Sequence, residues 1–182
     1  MHDHELADIV RQASARPEVR QAVGELYAAV QREIDARRPR CEISGRCCRF
    51  EEYGHRLFVT TIELAAFAHE LEQQRTSGRL RSAVEWDGTG CPFQVGKLCG
   101  VHTIRPFGCR MFFCDATATD WQNQTYERFH ADLRRLHDEL RVPYRYVEWR
   151  AALRALNLPR GVPKRGAGSV GDSILSPLPE SF

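Results

Sequence analysis

The chain has no long hydrophobic run: nowhere do its 182 residues approach the roughly 20 consecutive apolar residues that a membrane-spanning helix needs. Its start, MHDHELADIVRQ, lacks the basic segment followed by an apolar one that marks a secretory leader. A cytoplasmic location is therefore expected, with no membrane partner. An excess of one charge is missing too. With 26 Lys and Arg against 24 Asp and Glu the net charge is +2, and the signs are mixed along the chain. That is not the footprint of a nucleic-acid binder, so nucleic acid is not an expected partner. There is also no glycine-rich phosphate loop, no dinucleotide fingerprint, no H-E-x-x-H helix and no Ser/His/Asp arrangement in familiar surroundings.

Cysteine is what the sequence does have. There are seven, in two groups: Cys41, Cys47 and Cys48 in CEISGRCCRF, then Cys91, Cys99, Cys109 and Cys114 in CPFQVGKLCGVHTIRPFGCRMFFC. In a reducing compartment, and with an odd count, a disulfide framework is not expected. Thiolates are soft, strongly donating ligands, and several together point to zinc or an iron–sulfur cluster. Nucleophilic catalysis by one cysteine, activated by His55 or His102, needs one thiolate and leaves the others without a purpose.

At 42% hydrophobic and 27% charged, the composition is that of one ordinary domain with a core. Residues 1–158 are expected to form it, with metal-binding segments at 41–48 and 91–114. The Pro-, Gly- and Ser-rich residues 159–182, basic at Arg160, Lys164 and Arg165, read as a flexible tail.

Val19, Val23, Leu26, Tyr27, Val30 and Ile34 fall at helical spacing and predict a helix from Pro17 to about Arg37, with Ser14 as its cap. Pro39 ends it before the first cysteine. A strand is predicted within Arg56–Thr60, and Thr60 with Glu63 reads as a capping box for a second helix bearing Leu64, Phe67, Ala68 and Leu71 and ending near Ser77 and Gly78. Tyr126, Phe129, Leu133, Leu136 and Leu140 predict a third helix reaching toward Pro143. Tyr146, Trp149, Leu153 and Leu156 predict a short fourth. Between them the second cysteine group has no sustained period and reads as loops and short strands. The expected fold is mainly α, with helices packed around an irregular cysteine-rich metal-binding centre and at most short strands.

Cys41 and Cys47 flank the Ser44–Gly45 turn, and Cys109 and Cys114 are similarly close, so two sulfurs from one segment can reach one site. Neighbouring residues of an extended strand point opposite ways, so Cys47 and Cys48 share a site only where the backbone is turned or helical. The spacings match neither a paired C-x2-C zinc ribbon nor a ferredoxin run. Seven thiols exceed one tetrahedral ion's needs, leaving spare thiols, a polynuclear site or two sites as alternatives. His55 and His102 are candidate nitrogen ligands or simply structural imidazoles. Arg105 and Arg110 flank Cys109; Arg105 either offsets thiolate charge or pairs with Glu51 or Glu52. Phe93, Phe107, Phe112 and Phe113 read as core, compatible with a water-excluding shell.

The ordered set C-x5-CC, then CPF, then C-x2-H-x2-RP-x2-CR-x-F resembles the YkgJ-like cysteine-cluster family, a zinc- or iron-chelating domain. That family commonly reads C-x2-C-x2-CC in its first group and C-x-I-Y-x2-RP-x2-CR later. Ser44 thus stands where a second cysteine is frequent, and His102 where tyrosine is usual. The resemblance covers Cys41 to Cys114 and implies metal binding at all seven cysteines, but no assigned reaction. The flagellin lysine methylase is similar in its cysteine segment, although no methyl-donor loop is visible here. The leading expectation is an iron–sulfur cluster in a redox, electron-transfer or sensing role, with an unknown protein or redox partner. The alternatives are a structural zinc-binding interaction module and a methyl-transfer enzyme with an accessory cluster.

Overall fold

A computed structural model describes residues 3–80, 86 and 88–158; the expected tail at 159–182 lies outside the described residues. The elements run α1 (Asp3–Ser14), α2 (Pro17–Arg37), a 3-10 turn (Arg46–Cys48), α3 (Phe50–Tyr53), β1 (Phe58–Thr60) and α4 (Thr61–Thr76). They continue with β2 (Gln94–Val95), β3 (Leu98–Cys99), α5 (Phe107–Arg110), a second 3-10 turn (Ala116–Ala118), α6 (Thr119–Glu139), β4 (Tyr146–Glu148) and α7 (Trp149–Ala155). The fold is mainly α-helical, with short strands in two two-stranded sheets and no closed sheet among the described residues. Nor is any helix among them long and apolar enough to cross a membrane.

The helix α2 follows its sequence pattern: Val19, Val23, Leu26 and Val30 are buried and Pro17 occupies its first turn. Its cap differs from expectation. Ser14 is the last residue of α1, and Arg16 occupies the cap position without a side-chain bond. The Ser14 carbonyl instead accepts from Arg20 at 2.7 Å. The preceding helix α1 buries Leu6, Val10 and Ala13, a helical stripe of three positions.

Packed against both α1 and α2, α4 is the centre of the fold. Every residue from Thr61 to Phe67 is buried, so its first two turns have no solvent face and the expected stripe captures only part of its contacts. Burial on all sides explains why a charged residue there must be satisfied internally. Glu63 is 2% exposed, and its carboxylate accepts from the Thr60 N–H at 2.9 Å, the Phe107 N–H at 2.8 Å and the Tyr27 hydroxyl at 3.2 Å. The first of these is the helix-starting bond expected from the Thr60–Glu63 pair. The other two reach α5 and α2.

The strand β1 pairs antiparallel with β4, Phe58 opposite Glu148 and Thr60 opposite Tyr146. Tyr146 therefore belongs to a strand and not, as its spacing suggested, to the last helix. That helix starts at Trp149, because Glu148 caps it: its side chain accepts from the Ala151 N–H at 3.0 Å. Trp149 is 1% exposed and packs edge-on against Phe67, with Phe93 beside it. This aromatic group brings α4, α7 and the second cysteine segment into one core.

Burial holds the Glu63 carboxyl above its ordinary 4.5, outweighing the hydrogen bonds from Thr60, Phe107 and Tyr27. The neutral acid is favoured on folding, so the associated stability is complete below pH 4.5 and is lost as pH rises through the raised value. Urea denaturation across this window should show that loss in the native chain and its absence in Glu63→Gln. Glu63→Ala, which orphans two buried N–H groups, is expected to lower the unfolding free energy by about 2–6 kcal/mol. An unchanged urea midpoint in the alanine variant would contradict the assigned role.

Candidate functional site

The two cysteine segments meet through backbone before they meet through sulfur. The Cys91 N–H donates to the Cys48 carbonyl at 2.8 Å. Gly90 permits this approach: it has φ +55°, and a Cβ there would sit 2.9 Å from the same carbonyl oxygen. The Gly90 N–H in turn donates to Glu51 at 2.8 Å, and Glu51 also pairs with Arg150 of α7. On the other side Gly45, with φ +74°, starts the 3-10 turn that carries Cys47 and Cys48. A Cβ on Gly45 would lie 2.6 Å from the Gln94 side chain of β2. Alanine at Gly90 therefore forces the cysteine segments apart, while at Gly45 the positive φ strains any side chain and the Gln94 amide must move aside.

The helical turn satisfies the condition for adjacent cysteines to face one site. Cys47 and Cys48 have their sulfurs 4.0 Å apart. Cys48, 5% exposed, also lies close enough to Cys91 and Cys99 for each to act on its thiol, so it is the common neighbour of three other sulfurs. One S–H serves one acceptor at a time, and the other three sulfurs compete for it. Their hydrogen bonds, together with burial, push the Cys48 thiol far up. Cys47 is lowered to about 6 by the Cys48 bond, with Arg105 assisting and burial opposing. Cys99 is lowered to about 7 by the same donor, helped by the Val101 backbone and Arg105. Cys91 is lowered by Cys48 and by the Phe93 backbone. Trp149 assists: its buried Nε1 makes no full hydrogen bond, yet lies near enough to the Cys91 sulfur to favour its thiolate.

Cys109 adjoins this group. Part of its surface remains exposed, but its thiol is deep enough that burial pushes it well above the ordinary thiol range, with Cys91, Cys99 and Cys47 adding to the rise. Arg105 acts electrostatically on Cys47, Cys99 and Cys109 alike. The pairing of Arg105 with Glu51 or Glu52 does not form: Glu51 engages Arg150 and Gly90, and Glu52 engages Arg49. The Arg105 Nε is buried without a hydrogen-bond partner.

The other two cysteines stand apart. Cys114 lies 3.6 Å from the Ser44 hydroxyl, and Cys41 is exposed. Ser44 also accepts from the Arg46 N–H at 3.4 Å, the turn bond that a serine at this position suggests. All seven cysteines are free thiols. His55 is held between Phe50 and Phe112, with ring centroids 5.3 and 4.9 Å away, which is a packing role. His102 is exposed and lowered by burial of its ring and by Arg105 and Arg110. Neither imidazole hydrogen-bonds a cysteine sulfur among the described residues. Phe93 and Phe107 are core residues, whereas Phe112 and Phe113 are half-buried and pack on His55 and Trp121, so the four do not make one shell.

Among the described residues, no group of three or more His, Cys, Asp or Glu side chains is arranged as a site that could hold a metal ion. The convergence around Cys48 is thus a proton-sharing thiol cluster with donors of the right chemistry for a soft cation, not a preformed cage. Trp149 and Gly90 belong to this site although no local signal marks them; only the long-range packing of α7 and the close backbone approach identify them. No family model, curated protein or solved structure matches the chain.

Iodoacetamide alkylation of the reduced, chelator-treated protein, followed peptide by peptide, should give Cys47 a midpoint near pH 6. In Cys48→Ala that midpoint is expected to rise by about one unit or more as the donor disappears. An unchanged midpoint would separate Cys47 from the hydrogen-bonded cluster.

Proposed function

We propose that the thiol cluster is a soft-metal site and that this chain holds an iron–sulfur cluster in a redox, electron-transfer or sensing role. The observation that carries the proposal is the convergence of the Cys47, Cys48, Cys91 and Cys99 sulfurs from two segments stitched together by the Cys91–Cys48 backbone bond. A cation bound there replaces the proton that the four sulfurs share around Cys48, which removes the competition for it. Cys109, the fifth thiol beside the group, exceeds what one tetrahedral zinc uses and favours a polynuclear centre. Arg105 fits the same role. Its guanidinium offsets part of the negative charge that thiolates bring to a buried place, and its free Nε–H supplies a donor to sulfur. The likeness of the cysteine segments to the YkgJ-like family agrees with this reading.

One observation favours zinc instead. Two thiolates on a tetrahedral zinc with Zn–S bonds of about 2.3 Å stand about 3.8 Å apart, and Cys47 and Cys48 are already 4.0 Å apart. In that reading the metal ties the two loops together, and the helices present a surface to a protein partner.

Anaerobic purification separates the two. The iron–sulfur reading expects a brown protein with near-stoichiometric iron and sulfide, lost on alanine substitution at Cys47, Cys48, Cys91 or Cys99 and retained in Cys41→Ala. A colourless protein holding zinc, lost in the same variants, selects the structural reading. Protein that retains neither metal overturns both.

A further inference from the structure

Beside the thiol cluster, between α2, α4 and the loop after β3, lies an open cleft of about 730 Å³. This is within the range of small-molecule sites, roughly 300–1,000 Å³. Arg20, Arg79, Arg110 and His102 line it, against a single carboxylate, Glu70. None of the three arginines forms a salt bridge among the described residues. Arg20 donates to the Ser14 carbonyl at 2.7 Å, Arg79 to the Ser77 hydroxyl at 3.0 Å and Arg110 to the Thr103 carbonyl at 2.8 Å. Each keeps further N–H groups for other acceptors, since a guanidinium has five.

Arg110 is fixed in place, its guanidinium 4.3 Å from the centre of the Tyr27 ring, and its Nε is buried without a partner. Glu63 is within electrostatic reach of Arg110, but its oxygens are taken by Thr60, Phe107 and Tyr27. The rest of the lining is mixed: Ile104 and Tyr27 offer apolar surface, Gln74 and Thr103 polar groups, while Val23 and Phe67 are almost fully buried and show it little.

We infer that this cleft binds a small organic oxyanion, a carboxylate or phosphate group on an apolar body. The guanidinium groups of Arg20, Arg79 and Arg110 receive the anion, and the apolar surface receives the body. Uncompensated cations beside apolar surface together specify this class: a bare ion leaves the apolar surface uncovered, and a neutral molecule leaves the arginines unmatched. Cys99 also lines the cleft, so the occupant lies against one edge of the thiol cluster. The inference does not depend on any metal being bound there.

Isothermal titration of the purified full chain with phenyl phosphate, benzyl alcohol and inorganic phosphate tests it. Phenyl phosphate is expected to bind about tenfold or more tightly than either of the other two, and progressively more weakly as salt is added. The double variant Arg20→Ala/Arg79→Ala should weaken phenyl phosphate about tenfold. Glu70→Gln, which removes only the opposing charge, should tighten it, an effect that loss of folding cannot imitate. Benzoate in place of phenyl phosphate distinguishes a carboxylate site from a phosphate site, and tight binding of either supports the class. Equal binding of benzyl alcohol, no binding of either aromatic anion, or affinities unmoved by both variants overturns the inference.

Discussion

The arrangement depends on one buried carboxylate. Glu63 sits at the start of the central helix, where no solvent reaches it, and its oxygens collect donors from β1, from α5 and from α2. A charge in such a place is costly unless fully hydrogen-bonded, and each donor that satisfies it is thereby fixed. The Phe107 N–H begins the short helix that bears Cys109 and Arg110, while Tyr27 forms the surface over which Arg110 lies. The same group that starts α4 thus positions both one edge of the thiol cluster and one wall of the cationic cleft. The thiol cluster's surroundings have little regular structure to hold their shape: α5 is a single turn, and β2 and β3 are two residues each.

The cysteine segments solve a related problem by different means. Their turns rely on close backbone approach, at Gly90 against Cys48 and at Gly45 against Lys97. Sulfur is large and weakly hydrogen-bonding, and the three thiols around Cys48 have it and a few backbone N–H groups as partners. That crowding separates their proton affinities, raising Cys48 and lowering Cys47 and Cys99. Arg105 favours the thiolates of Cys47, Cys99 and Cys109 without donating a bond from its Nε.

Much of this was legible locally. The stripe from Val19 to Ile34, the Thr60–Glu63 capping pair and the apolar face of α6 follow from periodicity and cap chemistry, and the described elements match them closely. What local pattern misses are properties set by distant chain. Tyr146 has helical spacing to Trp149, yet pairs with Thr60 because an exposed strand edge is waiting there. Glu63 reads as a helix-starting residue, and nothing near it announces that Phe107 and Tyr27 also depend on it. The cysteines were evident as a set, but their division into four that converge, one that adjoins and two that stand apart depends on how the turns fold back. The cleft was invisible, since Arg20, Arg79 and Arg110 are far apart in sequence and come together only across α2, α4 and the loop after β3.

The position of Trp149 has a consequence for the order of assembly. It follows β4 directly, and its backbone N–H donates to the Leu57 carbonyl at 2.8 Å, so it takes its place only when β4 closes onto β1. A ribosome delivers the chain from its N-terminus, and domains begin to organise as they emerge. All seven cysteines are therefore synthesised before the indole that packs beside Cys91. During that interval the Cys91 sulfur lacks the indole N–H that later favours its thiolate, and the last helix completes its surroundings.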